Sequence, residues 1–214
     1  AAALIPNGAM VGFSGFVGSG CPLVVPVEIA NRAKKLHAEG KEYQIKALSG
    51  ASTDLNLDGV LAEADAVSFR APFITDRTMR GNINTNKTQY MDIHLSTLAQ
   101  QVEAGFFGKM DFAVIEIIGV TEDGKLIPST SIGNNQVWLN VADKVILEVN
   151  HFQPEQLEGV HDVVTLGKPP FRVPLAIKDV RDRIGTPYMT VDPEKVAAVV
   201  ITETSDRVNK FTPL

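Results

Sequence analysis

Residues 10–50 read MVGFSGFVGSG CPLVVPVEIANRAKKLHAEG KEYQIKALSG, and three patterns follow one another there. Met10 to Phe16 is a short apolar run broken by glycines, which predicts a strand feeding a tight turn. Pro26 opens a helical pattern in which Val27, Ile29, Ala30, Ala33 and Leu36 share a face. Lys34 and Lys35 lie off that face, and Gly40 stops it. Tyr43 to Leu48 predicts a second strand, closed by Ser49-Gly50. Strand, helix, strand in this order is a βαβ unit, and its crossover makes the two strands parallel.

Outward from this unit the signals continue in the same style. Ala1 to Ile5, stopped by Asn7-Gly8, reads as the tail of a helix, so the chain is expected to begin inside a domain. Val60 to Ala64 predicts a short helix, Ala66 to Phe69 a strand, and Pro72 a loop. His94 to Ala104 has helical spacing through Leu95, Leu98 and Val102. Phe112 to Ile118 is the most apolar strand, interrupted only by Glu116. Asp123-Gly124 predicts a hairpin turn between Val120 and Lys125 to Ile127. Asn134 to Ala142 predicts a helix with Val137, Trp138 and Val141 as its apolar side, and Lys144 to Val149 a strand. Prolines 154, 169, 170 and 174 make residues 150–190 mostly loop, and Val196 to Ile201 reads as a final buried strand. There is no repeat and no linker. The expectation is one α/β domain over residues 1–214, a mostly parallel central sheet flanked by helices, with ligand loops at the carboxyl ends of its strands.

Composition narrows the function. Of 214 residues, 44% are hydrophobic and 21% charged, which is ordinary globular usage. A chain of this length buries roughly 70% of its unfolded surface, enough for one sizeable core. The net charge is −5 and no Lys/Arg run forms a nucleic-acid arm or a basic membrane patch, so neither partner is expected. No stretch approaches the ~18 apolar residues of a membrane span. A single cysteine, Cys21, allows no internal disulfide, which fits a reducing compartment. It follows a Gly-rich turn, as a nucleophile could, but a small loop residue is the favoured reading. None of the four histidines, His37, His94, His151 and His161, has a partner at helical spacing, so no metal site is expected. Adjacent His161 and Asp162 would point to opposite sides of a strand.

Four stretches could carry chemistry. Gly12 to Gly20 holds four glycines in nine residues, which lets backbone N–H groups approach a ligand. It is neither a Walker loop nor a dinucleotide fingerprint, and a plain tight turn stays open beside a ligand loop. Gly50-Ala51-Ser52-Thr53-Asp54 ends a strand with small hydroxyl donors, or alternatively caps a helix before Leu55. In Arg70-Ala71-Pro72-Phe73-Ile74-Thr75-Asp76-Arg77, Thr75 can donate and Arg70 and Arg77 could hold an anion, though surface arginines are the commoner explanation. In Ser205-Asp206-Arg207, the arginine could bind a carboxylate bidentately or form a solvated pair with the aspartate.

Taken in order, the motifs resemble one family. Val11-Gly12-Phe13-Ser14-Gly15-Phe16, Gly50-Ala51-Ser52-Thr53, Leu57-Asp58-Gly59, Gly105-Phe106-Phe107-Gly108, Ile132-Gly133-Asn134-Asn135, Lys144 to Asn150 and Leu157 to Asp162 are similar to the N-terminal half of acetyl-CoA hydrolase/transferase proteins, of the class I CoA-transferase type. The resemblance runs from about Asn7 to Arg207 and is nearest to the bacterial succinyl-CoA:acetate CoA-transferases. It implies the NagB/RpiA/CoA-transferase type of fold, a homodimer and a cytoplasmic place in acetate metabolism.

It also implies acyl-CoA and a small carboxylate as substrates, with no bound cofactor. The implied mechanism passes through an acyl-glutamyl intermediate. The glutamate nucleophile is expected in a C-terminal half beyond Leu214, so no catalytic residue is assigned here. Residue by residue, Ser52 matches the family's pocket serine, Thr75 the pocket threonine and Arg207 the arginine that meets the carboxylate. Around that arginine relatives usually read Asp-Arg-Asn-Ala-Pro-Phe, and this chain reads Asp206-Arg207-Val208-Asn209-Lys210-Phe211. The loop residues Gly15, Phe16, Gly18, Ser19 and Gly20 are expected to approach the acyl group or pantetheine arm. The alternatives are an acetyl-CoA hydrolase and a non-catalytic binding domain of the same fold.

Overall fold

The computed structural model describes residues 1–51 and 54–206. The βαβ unit is present as β1 (Met10–Phe13), α1 (Val25–Ala38) and β2 (Ile45–Leu48), and β1 and β2 are parallel, with Val11 opposite Ala47. The chain then adds α2 (Val60–Glu63), β3 (Val67–Ala71), α3 (Arg77–Asn84) and β4 (Gln89–Tyr90) outward on the same side. After α4 (Leu95–Glu103) it crosses to the other side of β1. There β5 (Phe112–Val120), its antiparallel neighbour β6 (Leu126–Pro128), α5 (Asn135–Val141), β7 (Lys144–Asn150) and β8 (Val196–Thr202) follow. The strand order is β4-β3-β2-β1-β5-β7-β8, with β6 on β5, and every pairing along that path is parallel.

The order reverses between β1 and β5. Neighbouring connections leave in opposite directions at such a point, which opens a crevice outside the carboxyl ends of the two strands.

Both faces of the sheet are covered, which is why β5 reads as a near-continuous apolar run. On one face α1 lays Ile29, Ala30 and Ala33 over Val11, Phe13, Val114 and Ile146. On the other, Leu98 from α4 and Trp138 and Leu139 from α5 cover Met10, Leu48, Ile115 and Leu147. By the alternation of strand side chains, Glu116 and Glu148 continue the rows of Val114 and Ile146 on the α1 face.

Several expectations need correction. β8 is an edge strand rather than a buried one: Val199 is 55% and Ile201 60% exposed, while Ala198 and Val200 pack on the α1-side core. It has β7 on one side only, and its alternate side chains Ala197, Val199 and Ile201 point to a face left uncovered among the described residues. His161 and Asp162 lie in a loop, not on a strand, and do separate work: the imidazole Nε2 meets the Ser129 carbonyl at 2.6 Å, and Asp162 accepts from the N–H groups of Ile184 and Gly185. Ala2–Leu4 forms a single 3-10 turn.

Neither α3 nor β4 was foreseen. The α3 segment contains Gly81, Asn82 and Asn84, all poor helix formers, and is held by its cap: the Asp76 carboxylate accepts from the Met79 N–H at 2.8 Å while Met79 is fully buried.

Candidate active site

The loops that follow β1, β2, β3 and β8 all leave the same edge of the sheet, because their strands are parallel. Ser14 through Gly20 sits over the β1/β5 reversal. Its Val17 N–H donates to the Ala51 carbonyl at 2.9 Å, which joins it to the β2 loop. From the far side, Asp206 after β8 accepts from Gly20 N–H at 3.4 Å and from Thr130 Oγ1 at 2.5 Å. Segments more than a hundred residues apart in sequence thus meet at one place. Ser52 and Arg207 lie outside the described residues; their described neighbours, Ala51 and Asp206, bracket the Gly-rich loop.

The Gly-rich loop is tightly closed on itself. Phe16 N–H donates to the Ser19 carbonyl, and Gly18 and Ser19 donate to the Phe16 carbonyl. Its amides from Phe16 to Gly20 are therefore engaged within the protein, and what the loop presents outward is the side chains of Phe16 (48% exposed) and Val17 (38%). Gly15 is required here. Its φ is +119°, and a Cβ would stand 2.2 Å from the Cys21 sulfur. Gly15→Ala is expected to cost about 1–3 kcal/mol of stability, read by urea unfolding. A variant as stable as the parent would mean that the loop is not held as described. Cys21 is itself fully buried, as the favoured reading of a small loop residue requires.

At the end of β3 the two arginines part company. Arg77 is exposed, as a surface arginine should be. Arg70 is 1% exposed and occupied: its Nε donates to Asp58 Oδ1 at 2.8 Å and its Nη2 to Asp58 Oδ2 at 3.2 Å and Ser49 Oγ at 2.8 Å. Nη1 donates to the Ala71 carbonyl. Arg70 is therefore neither a surface residue nor an anion ligand; it fastens the ends of β2 and β3 to the turn at Leu55–Gly59. Asp54 caps that turn by accepting from the Asn56 N–H at 2.6 Å, which is the helix-cap alternative for this stretch. Thr75 stands exposed just before the Asp76 cap of α3.

Two carboxyl groups lie behind the crevice, opposite one another on β5 and β7 as Glu116 and Glu148, each 0% exposed. Glu148 accepts from the N–H groups of Leu23 (2.6 Å), Val24 (3.0 Å) and Val25 (2.9 Å), the donors that the first turn of α1 leaves without partners. Burial pushes its carboxyl up from the usual range, and those three N–H groups oppose the shift. Among the described residues Glu116 meets only neutral donors, Ser129 Oγ at 2.5 Å and Asn150 Nδ2 at 3.4 Å. Burial raises it to about 8, with Asp206 and Glu148 adding repulsion. Neither carboxylate is offered to a ligand. Asp206, read as half of a possible solvated pair, is half-buried and held by Thr130 and Gly20.

Sequence reasoning passed over Ser14, Ser129, Thr130 and Asn150. The available signal was a glutamate inside each of two buried strands, since a buried charge or acid must find partners.

A cavity of about 220 Å3 lies elsewhere, between α4, the start of α5 and residues 163–172. It touches the site only through Ile132 to Asn134, whose Gly133 approaches the Gly15 carbonyl. The loop cluster at the strand ends, not this cavity, brings the Gly-rich loop, Ala51 and Asp206 together.

An open, mostly parallel sheet with loops at the strand-order reversal defines an α/β domain of the CoA-transferase-like type. Residues 1–201 match the acetyl-CoA hydrolase/transferase N-terminal domain, and the chain belongs to that family. It is 44% identical over 209 residues to the propanoyl-CoA:succinate CoA transferase of Escherichia coli, covering 98% of this chain and 42% of that protein. It is 42% identical over 212 residues to the succinyl-CoA:acetate CoA-transferase of Clostridium kluyveri, covering 99% and 39%. It is 36% identical over 210 residues to the acetyl-CoA hydrolase of Yarrowia lipolytica, covering 95% and 40%. The chain thus spans about two-fifths of the length of these relatives.

Among solved structures, RipA from Yersinia pestis has the same fold (TM-score 0.65, 13% identical, 100% of this chain and 43% of that one). So does glutaconate coenzyme A-transferase from Acidaminococcus fermentans (TM-score 0.56, 12% identical, 70% and 64%). Among the described residues no helix is long and apolar enough to cross a membrane.

Proposed function

We propose that this chain is a single N-terminal domain of a cytoplasmic, homodimeric enzyme that moves CoA between an acyl-CoA and a small carboxylate such as acetate or succinate. The observation that carries the reading is the similarity along nearly the whole chain to two CoA-transferases, at 44% and 42% identity. The meeting of the β1 loop with the β2 and β8 loops supports it. In this reading Ser52, Thr75 and Arg207 receive the carboxylate, and Phe16 and Val17 line the approach of the acyl group or pantetheine arm. The nucleophile is a glutamate from the rest of the protein. Consistent with that, Glu116, Glu148 and Cys21 are all buried here. The substrate carries its own CoA, and no further cofactor is invoked.

The test is CoA transfer from succinyl-CoA to acetate by the full-length protein, compared with CoA release when acetate is absent. Transfer that greatly exceeds release supports a transferase; release independent of acetate supports the hydrolase reading that the Yarrowia lipolytica relative suggests. Arg207→Ala is expected to raise the carboxylate KM at least about tenfold, the loss of one charge-assisted contact. An unchanged carboxylate KM and kcat would remove Arg207 from the site.

A further inference from the structure

Glu116 is the hub of a circuit of hydrogen bonds that the Ser129–Thr130 peptide link closes. Its own N–H donates to Ser14 Oγ at 2.9 Å, and Ser14 Oγ donates to the Gly20 carbonyl at 2.8 Å. Gly20 N–H reaches Asp206, and Asp206 accepts from Thr130, the neighbour of Ser129. Ser129 returns to the Glu116 carboxyl. A second arm runs through Asn150. Its Nδ2 donates to Glu116 Oε2 at 3.4 Å and to the Thr204 carbonyl at 2.7 Å, and its Oδ1 accepts from Thr204 N–H at 3.2 Å. Both arms end on residues 204–206, the segment that delivers Arg207.

We propose that Glu116 is a positioning residue for carboxylate recognition: its carboxyl, through Asn150 and Ser129, locks residues 204–206 against the Gly-rich loop, which its backbone N–H holds separately through Ser14. The proposal rests on the transferase reading above. The ring lies behind the crevice wall, so Glu116 acts through its neighbours and touches no substrate.

The chemistry of the hub says which protonation state does this. Among the described residues, the groups facing the Glu116 carboxyl are neutral or acidic: the Ser129 hydroxyl from the β6 side, the Asn150 amide and Glu148 from β7, and Asp206 after β8. An ionised Glu116 would stand in a buried place beside two further acids, Glu148 and Asp206. A neutral acid can accept from the same donors without adding charge. Glutamine copies that form closely, and leucine abolishes it.

The experiment measures steady-state CoA transfer from succinyl-CoA to acetate by the full-length protein and its E116Q, E116L and T130V variants. E116L is expected to raise the acetate KM about tenfold, with the succinyl-CoA KM changed less than about threefold. E116Q is expected to restore the acetate KM to within about twofold of the parent. T130V, at a half-buried position that tolerates the change, cuts the ring at Asp206 and is expected to raise the acetate KM about fivefold.

A merely structural role would lower melting temperature without this split between the two Michaelis constants. The melting temperatures add a second readout. A raised acid in the folded state loses stability as pH climbs from its ordinary value through about 8, so the parent should weaken over that window more than E116Q, which keeps the raised Glu148 and Asp58 but not Glu116. The advantage of E116Q is therefore expected to grow between about pH 5 and about pH 9.

If the parent transfers no CoA to acetate, the transferase reading fails. If the parent is active and E116L and T130V keep its acetate KM, or E116Q behaves like E116L, the positioning role fails. Should E116L not fold, T130V and E116Q decide the matter.

Discussion

Arg70→Met in the full-length protein is expected to lower the unfolding free energy by about 3–5 kcal/mol, because it strands Asp58 as a buried charge without its guanidinium. Both side chains are 1% exposed, and water cannot replace the partner. The bidentate pair is only part of the loss, since the same guanidinium also holds Ser49 and the Ala71 carbonyl. Those contacts join the ends of β2 and β3, from which the loops carrying Ser52 and Thr75 depart. The measurement is urea unfolding followed by far-UV circular dichroism, with Arg70→Met alone and with Asp58→Asn beside it. The double variant is expected to regain part of the loss, because removing both charges leaves no uncompensated ion. A single variant within about 1 kcal/mol of the parent would show that this pair is not what holds the loop bases together.

Glu148→Leu is expected to be comparably damaging, at about 3–5 kcal/mol. It removes the acceptor of three N–H groups at the start of α1 and leaves the buried donors of Leu23 and Val25 unsatisfied, at about 1–3 kcal/mol each. Leucine fills a similar volume, so the loss reads the hydrogen bonds rather than a cavity. Glu148→Gln keeps one carbonyl oxygen and should lose about half as much. Because α1 follows the Gly-rich loop directly, hydrogen exchange of the Phe16 to Val25 amides should accelerate in both variants more than exchange in α4. Uniform acceleration throughout the domain would mean that Glu148 supports global stability without tethering this loop.

These two residues show where the sequence was legible. Glu116 and Glu148 stand out as acids inside apolar strands, yet nothing local says what satisfies them. The donors to Glu148 lie 123 to 125 residues away, and those to Glu116 come from Ser129 and Asn150. Arg70 has the same history: periodicity put it at a strand end, and the choice between surface arginine and anion ligand omitted the buried partner at Asp58. The carboxylate pocket entered through the resemblance alone, since Ser52, Thr75 and Arg207 are each ordinary residues at the end of a strand.

What the sequence determined alone was local. The 3.6-residue period after Pro26, flanked by two apolar runs, could make only a βαβ unit. Asp123-Gly124 could make a turn, and Phe112 to Ile118 read as the most apolar strand. The tertiary structure decided which side of β1 receives β5, because that choice depends on how helices pack on a finished sheet. It also placed β8 at an edge, where half its valines and isoleucines face outward. Above all it brought Ser14, Glu116, Ser129, Asn150 and Asp206 into one ring. Hydrogen bonds between such distant segments leave no periodic trace in a chain; they exist only once the sheet has set its strands in order.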